Sequence, residues 1–302
     1  MIYRNFNIGF FLTGIVIAIF ITACNKSTDV EYKAPDVELS NHPNDIYIRE
    51  NILNRYGTAI RWEWDQRFLN KDQTADPIKE DLVIPVTKLI EELWIKPFLV
   101  LSEDSKIFIE EYMPKELVYI GSYIYESEGE RMLGYAESGA RVSLINLNAF
   151  DLDDRIWLEN QLITMHHEFS HIVRQKKGVP IGYNNVSPTG YIGEGWRNGV
   201  SLSDAIKRGM VSAYGTKNQF EDFAQLTSHF FIQDTVYFNS TYLKDWNCED
   251  FSDPNTCEEL NMGKELIRRK LDLIRKFYSE EFSINIDVLR DTIQSRMSAY
   301  KN

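Results

Sequence analysis

The segment HHEFSH at residues 166–171 constrains this chain more than any other stretch. On a helix, residues four apart share a face, so His167 and His171 can present both imidazoles to one metal ion while Glu168 lies beside the first of them. The surrounding residues 155–174 (RIWLENQLITMHHEFSHIVR) carry the apolar spacing of an amphipathic helix. Three of the five histidines fall in this one segment, which argues against a chance match. His166 faces about 100° away from His167, so it reads as an outer partner of the site or a surface residue.

Zinc held by three protein ligands keeps a fourth position open, lowers the pKa of a water there to about 7 and polarises a carbonyl. Glu168 is then placed to take the water's proton and hand it to a leaving amine. A third ligand has to be found. A metzincin would extend the motif with a glycine and a third histidine, but those positions hold Arg174 and Lys177, which excludes that class. Glu194 follows His171 by 23 residues, yet it stands between Gly193 and Gly195 in what reads as a loop. Glu221, fifty residues after His171, lies in 218–232 (NQFEDFAQLTSHFFI), whose apolar residues are spaced as in a buried helix. A carboxylate in such a helix needs a partner, and a metal supplies one. Asp222, its neighbour, stays open as an alternative.

Elsewhere the pattern is that of an α+β chain. Residues 106–112, 117–125 and 141–147 are β-branched and aromatic runs that read as a small sheet. Residues 201–207, 258–278 and 286–300 read as helices, 46–70 and the helically spaced 83–98 as helical or irregular packing elements, and the Gly/Pro/Asn-rich stretch 176–196 as a break after the motif helix. The expected architecture is a small sheet packed on the motif helix, with a mostly helical C-terminal part.

The N-terminus reads as an address. An apolar run over 8–23 follows Arg4 and ends Ile21-Thr22-Ala23-Cys24. Its sixteen residues fall short of the ~20 that span a bilayer, and the order of basic, apolar and small residues is that of a secretory signal. The end of the run resembles a bacterial lipobox, which implies a signal peptide over 1–23 and a diacylated Cys24. The polar, aperiodic residues 24–45 would then be a tether and 46–302 the catalytic domain. Asn25 is compatible with release to an outer membrane; an uncleaved anchor is the other reading.

Charge narrows the partners. The chain carries 33 Lys+Arg against 45 Asp+Glu, a net charge of −12, and loss of Arg4 with the signal makes the remainder more acidic still. A field of that sign repels phosphate backbones, so no nucleic-acid partner is expected, and peptides reaching the metal should do better if neutral or basic. No arginine cluster or specificity pocket is readable. Of the three cysteines, Cys248 and Cys257 bracket a turn-rich segment that can close as a disulfide in an oxidising compartment or remain as two thiols.

Residues 213–224 (AYGTKNQFEDFA) resemble the second metal-binding block of the anthrax-lethal-factor-like gluzincin metallopeptidases. With its lipobox, the chain more closely resembles the zinc-binding metallopeptidase lipoproteins of Bacteroidetes, the substrate-import-associated zinc metallohydrolases. The resemblance implies a zincin-like fold, Zn2+ as cofactor, His167, His171 and Glu221 as its ligands, Glu168 as general base and Tyr214 as donor to the developing oxyanion. It further implies a peptidase lipid-anchored at the outer membrane, acting on peptide or protein substrates beside an import porin and a binding lipoprotein. The alternative is a metal-binding accessory or substrate-binding lipoprotein without significant turnover, and Tyr214 could equally be an ordinary buried tyrosine. One departure is Gln225, where relatives often carry an acid four residues after the ligand glutamate. An amide supports a ligand imidazole without a charge, so weaker zinc binding is expected.

Overall fold

Helix α1 (Pro43–Ile48) begins inside the stretch expected to be tether, because proline suits a first helical turn and the ring of His42 accepts the Asn44 N–H at 3.2 Å. Asp45 in that turn accepts the indole N–H of Trp62 at 2.7 Å, which ties the helix to the body of the fold. The computed structural model describes residues 39–126, 131–132, 135–137 and 141–300. Its body starts at Asn41, and the signal segment, Cys24 and most of the tether lie outside the described residues.

After α1, wider turns carry the chain through Arg49–Leu53 to Tyr56, where Gly57, at φ +67°, ends the run. Strands β1 (Ala59–Arg61) and β2 (Gln73–Thr74) come next. Helix α2 (Val83–Ile90) continues through Glu91–Ile95 to Leu99 and buries Val86, Leu89, Leu93, Trp94 and Phe98.

Residues 106–112 are not a strand. They belong to helix α3 (Glu103–Tyr112), opened by Ser102, whose hydroxyl accepts the Ser105 N–H at 3.0 Å, with Glu103 and Asp104 in the first turn. Those cap signals outweigh the β-branched residues, and Phe108, Ile109 and Tyr112 then bury at helical spacing. The run 117–125 is also divided, into β3 (Glu116–Tyr119) and β4 (Ile124–Glu126), with Gly121 between them. A Cβ on Gly121 would lie 2.0 Å from the Pro77 carbonyl oxygen, so only glycine passes there.

Strands β5 (Arg131–Met132), β6 (Tyr135–Glu137) and β7 (Arg141–Leu144) complete two sheets. The larger has the order β1-β3-β7-β6, parallel except for β6; the smaller, β2-β4-β5, is antiparallel. Leu117, Val118 and Tyr119 of β3 and Val142, Ser143 and Leu144 of β7 are all buried, as expected where a parallel sheet is covered on both faces.

The motif helix α4 (Arg155–Lys177) is capped by Asp154, which accepts the N–H groups of Ile156 and Trp157 at 3.0 Å each. Its first turns are pinned to the chain leaving β7: Trp157 Nε1 donates to Asn146 O and Gln161 Nε2 to Ile145 O, both at 3.0 Å. The remaining helices are α5 (Leu202–Lys207), α6 (Gln219–Ile232), the short α7 (Thr235–Phe238), α8 (Pro254–Phe282) and α9 (Ile286–Ala299). Helix α8 begins earlier than the apolar spacing alone indicates, since Asp253 caps it and Pro254 opens it. Cys248 and Cys257 are joined as a disulfide. Among the described residues, no helix is long and apolar enough to cross a membrane.

Candidate metal centre

Two helices build the site, and local sequence fixes both. Asn218 caps α6 by accepting the N–H groups of Phe220 and Glu221 at 2.8 and 3.0 Å, which sets Glu221 in the first turn. The buried face of α6 (Phe223, Leu226, Phe230) packs it along α4. Glu221 Oε2 then lies 3.0 Å from His171 Nε2 and 3.3 Å from His167 Nε2, while the two Nε2 atoms are 3.2 Å apart. One ligand atom from each residue falls within 4.8 Å of the others, a spacing that suits a single cation.

The donor set fits zinc: two imidazole nitrogens and one carboxylate oxygen, the three-ligand composition of sites whose fourth position is exchangeable. Burial by itself would raise the Glu221 pKa, but the two imidazoles outweigh it and hold the carboxyl well below the ordinary carboxylate range. It therefore presents a charged oxygen. Glu168 is buried next to the cluster, and desolvation raises its pKa. Tyr214 leads a short turn ahead of α6, with its ring 5.9 Å from His167 and 4.8 Å from Trp196. Burial, with the Glu221 carboxylate adding to it, pushes the phenol pKa up, so the hydroxyl stays a proton donor.

Other residues singled out by the sequence go elsewhere. Asp222 faces away from the imidazoles and is fully buried, with its Oδ2 2.6 Å from Lys270 Nζ and 2.9 Å from the donating Tyr191 hydroxyl. It is not in the cluster. Glu194 is exposed on its turn and pairs with Arg197 and Lys217. His166 is neither an outer partner nor a surface residue: it is 1% exposed, packed among Trp94, Phe98 and Phe231, and burial pushes its pKa down to about 3. The helical 100° turn that separates it from His167 points it into the aromatic core.

Gln225 reaches the ligand imidazole, with its Nε2 3.0 Å from His167 Nδ1. Its Oε1 takes the Ser212 hydroxyl at 2.8 Å and lies 3.0 Å from His229 Nε2. Sequence reasoning does not single out Ser212 or His229. For His229 the signal is present, since Glu221, Gln225 and His229 recur every fourth residue on one face of α6. A cavity of about 600 Å³ lined by Trp62, Trp64, Phe68 and neighbours at the β1 edge shares no residue with this centre.

A parallel sheet, a capped helix carrying HExxH and a glutamate from a second helix define a zincin-like metallopeptidase scaffold. Over residues 38–287 the chain matches the family described as "Putative zinc-binding metallo-peptidase", and it belongs to that family. Among solved structures it is similar to a crystal structure of "a putative zinc-binding metallo-peptidase" from Bacteroides caccae, with a TM-score of 0.66 and 24% identity over 85% of this chain and 94% of that one. At that identity the likeness is one of fold. No curated protein matches the chain.

Proposed function

We propose that this chain is a lipid-anchored zinc peptidase of the gluzincin type, held by Cys24 at the outer membrane and acting on peptides handled by an import porin and its binding lipoprotein. The observation that carries the catalytic part is the convergence of His167, His171 and Glu221, with the buried Glu168 beside them. The anchoring part rests on the N-terminal residues alone: a short apolar run ending at Cys24.

His167, His171 and Glu221 would hold the metal. Zinc supplies Lewis acidity there, making a water more acidic and polarising the scissile carbonyl. Glu168 accepts the proton of the attacking water, and the raised pKa that burial gives it suits the return of that proton to the leaving amine. The Tyr214 hydroxyl, kept protonated by its surroundings, donates to the oxygen on which negative charge develops.

The test compares the full chain with Glu168→Gln and Cys24→Ala variants on a peptide library. Glu168→Gln should keep one zinc per chain and lower turnover by at least about 10²-fold, the low end for a general base. Cys24→Ala should retain turnover and release the protein from the membrane fraction. Equal turnover with and without Glu168 defeats the peptidase reading, and unchanged membrane association in the Cys24 variant defeats the anchor.

A further inference from the structure

Arg174 stands one helical turn beyond His171, on the same side of α4. Its guanidinium carbon lies 4.3 Å from the centre of the Phe220 ring, one residue before Glu221. The group is half-buried, its Nε is buried without a hydrogen-bond partner, and among the described residues its guanidinium has no carboxylate at ion-pair distance. Just ahead of α6, Lys217 Nζ lies 4.0 Å from Glu221 Oε1 and 3.6 Å from the exposed Glu194. Two cations thus border the carboxylate whose charge the metal would take up.

A half-buried guanidinium with no carboxylate at ion-pair distance is costly to keep, its nearest opposite charge being the more distant Glu221, and its flat fork matches a carboxylate with two parallel bonds. We propose that Arg174, with Lys217 as a second point charge, forms a carboxylate subsite beside the metal centre, so that the substrate is a peptide bearing an acidic side chain near the scissile bond or a free C-terminus there. The proposal rests on the peptidase reading for the bond that is cut, but not for the anion it binds. It also revises the expectation of neutral or basic peptides. The chain's overall acidity acts through solvent and is screened within about 8 Å at physiological salt, whereas Arg174 and Lys217 act in contact with the substrate.

The experiment measures binding to zinc-loaded Glu168→Gln protein. The probes are pentaalanine peptides carrying Glu, Gln or Lys at successive positions, each as free acid and as C-terminal amide. A gain of about 10- to 100-fold for Glu over Gln at one position places a side chain in the subsite, and the same gain for acid over amide places the terminus there. Arg174→Gln should remove the gain and Arg174→Lys should keep part of it, with zinc content and thermal midpoint showing that each variant is folded. The absence of any such gain overturns the subsite, as does a gain that persists in an Arg174→Gln, Lys217→Gln double variant. Hydrolysis without carboxylate preference overturns this inference alone. Arg174-dependent binding without hydrolysis by the wild-type chain supports it while defeating the peptidase reading.

Discussion

The metal centre and the core each take one of two consecutive residues on the same two helices. On α4, His167 joins the metal centre and His166 the aromatic core. On α6, Glu221 joins the metal centre and Asp222 the core. The core members are settled without outside help: Asp222 has its own cation in Lys270, and His166 stays neutral because burial forbids its charge. The members of the metal centre are not settled in that way, because Lys217, 4.0 Å from Glu221, is shared with the exposed Glu194. A carboxylate and two imidazoles crowd within 4.8 Å, which leaves a negative centre that a cation completes. Chemically similar side chains thus become structural or functional according to whether the core settles their charge, by pairing or by neutrality, or leaves it to a bound cation.

Acid should separate the two histidines most strongly. The folded pKa of His166, about 3, lies below the ordinary 6.5, so the unfolded chain binds the extra proton first. Its contribution to stability is complete above pH 6.5 and falls as the pH drops toward 3, by about 5 kcal/mol in all. Denaturant titrations of metal-free protein across this window should show that loss in the wild type and its absence in His166→Phe. Parallel pH profiles for the two proteins would mean that His166 is not buried as described.

Next in size is the Asp222–Lys270 pair, fully buried at 2.6 Å, with Lys270 also donating to Gly209 O at 2.9 Å. Lys270→Met strands a carboxylate and should cost about 3–5 kcal/mol in unfolding free energy. Glu221→Gln, one residue away, gives up its contacts with the two imidazoles but strands no buried charge, so it should cost metal-free stability less than Lys270→Met does, and it should abolish stoichiometric zinc binding. Calorimetric unfolding with zinc analysis checks both. If the two substitutions destabilised equally, the division between core and metal centre would fail.

The metal centre is readable in the sequence and the core pairs are hidden, for a physical reason. His167, Glu168 and His171 obey a spacing set by helix geometry and metal chemistry, and Glu221 announces itself as a carboxylate in an apolar helix. Lys270 lies 48 residues from Asp222 and matches it through tertiary packing alone, which no local pattern encodes. The same limit explains α3. Its cap at Ser102 is legible, but Ile107 and Ile109 read locally as strand formers, and the packing of Phe108 on Phe98 and Phe282, invisible to a local pattern, reinforces the cap. Arg174 stands out in the sequence only as a residue that breaks a metzincin motif, because the absence of a partner is a fact of three dimensions.

The smallest effect concerns how the ligand imidazole is prepared for a metal. The amide nitrogen of Gln225 faces His167 Nδ1, an arrangement in which that ring carries its proton on Nε2, the atom turned toward Glu221. A metal on Nε2 needs the proton on Nδ1 instead, so the amide must turn its oxygen to the ring and its nitrogen to Ser212 and His229, both of which can accept. A carboxylate at 225 can only accept from Nδ1–H and so favours the metal-ready tautomer at once. Gln225→Glu should therefore tighten zinc about tenfold, and Gln225→Ala should weaken it by about 10- to 100-fold, the usual range for an outer partner. Competition against a chelating dye measures both. Equal affinities across the three proteins would show that the amide is a spectator; a weaker Glu variant would show that Ser212 and His229 require the amide more than His167 requires the charge.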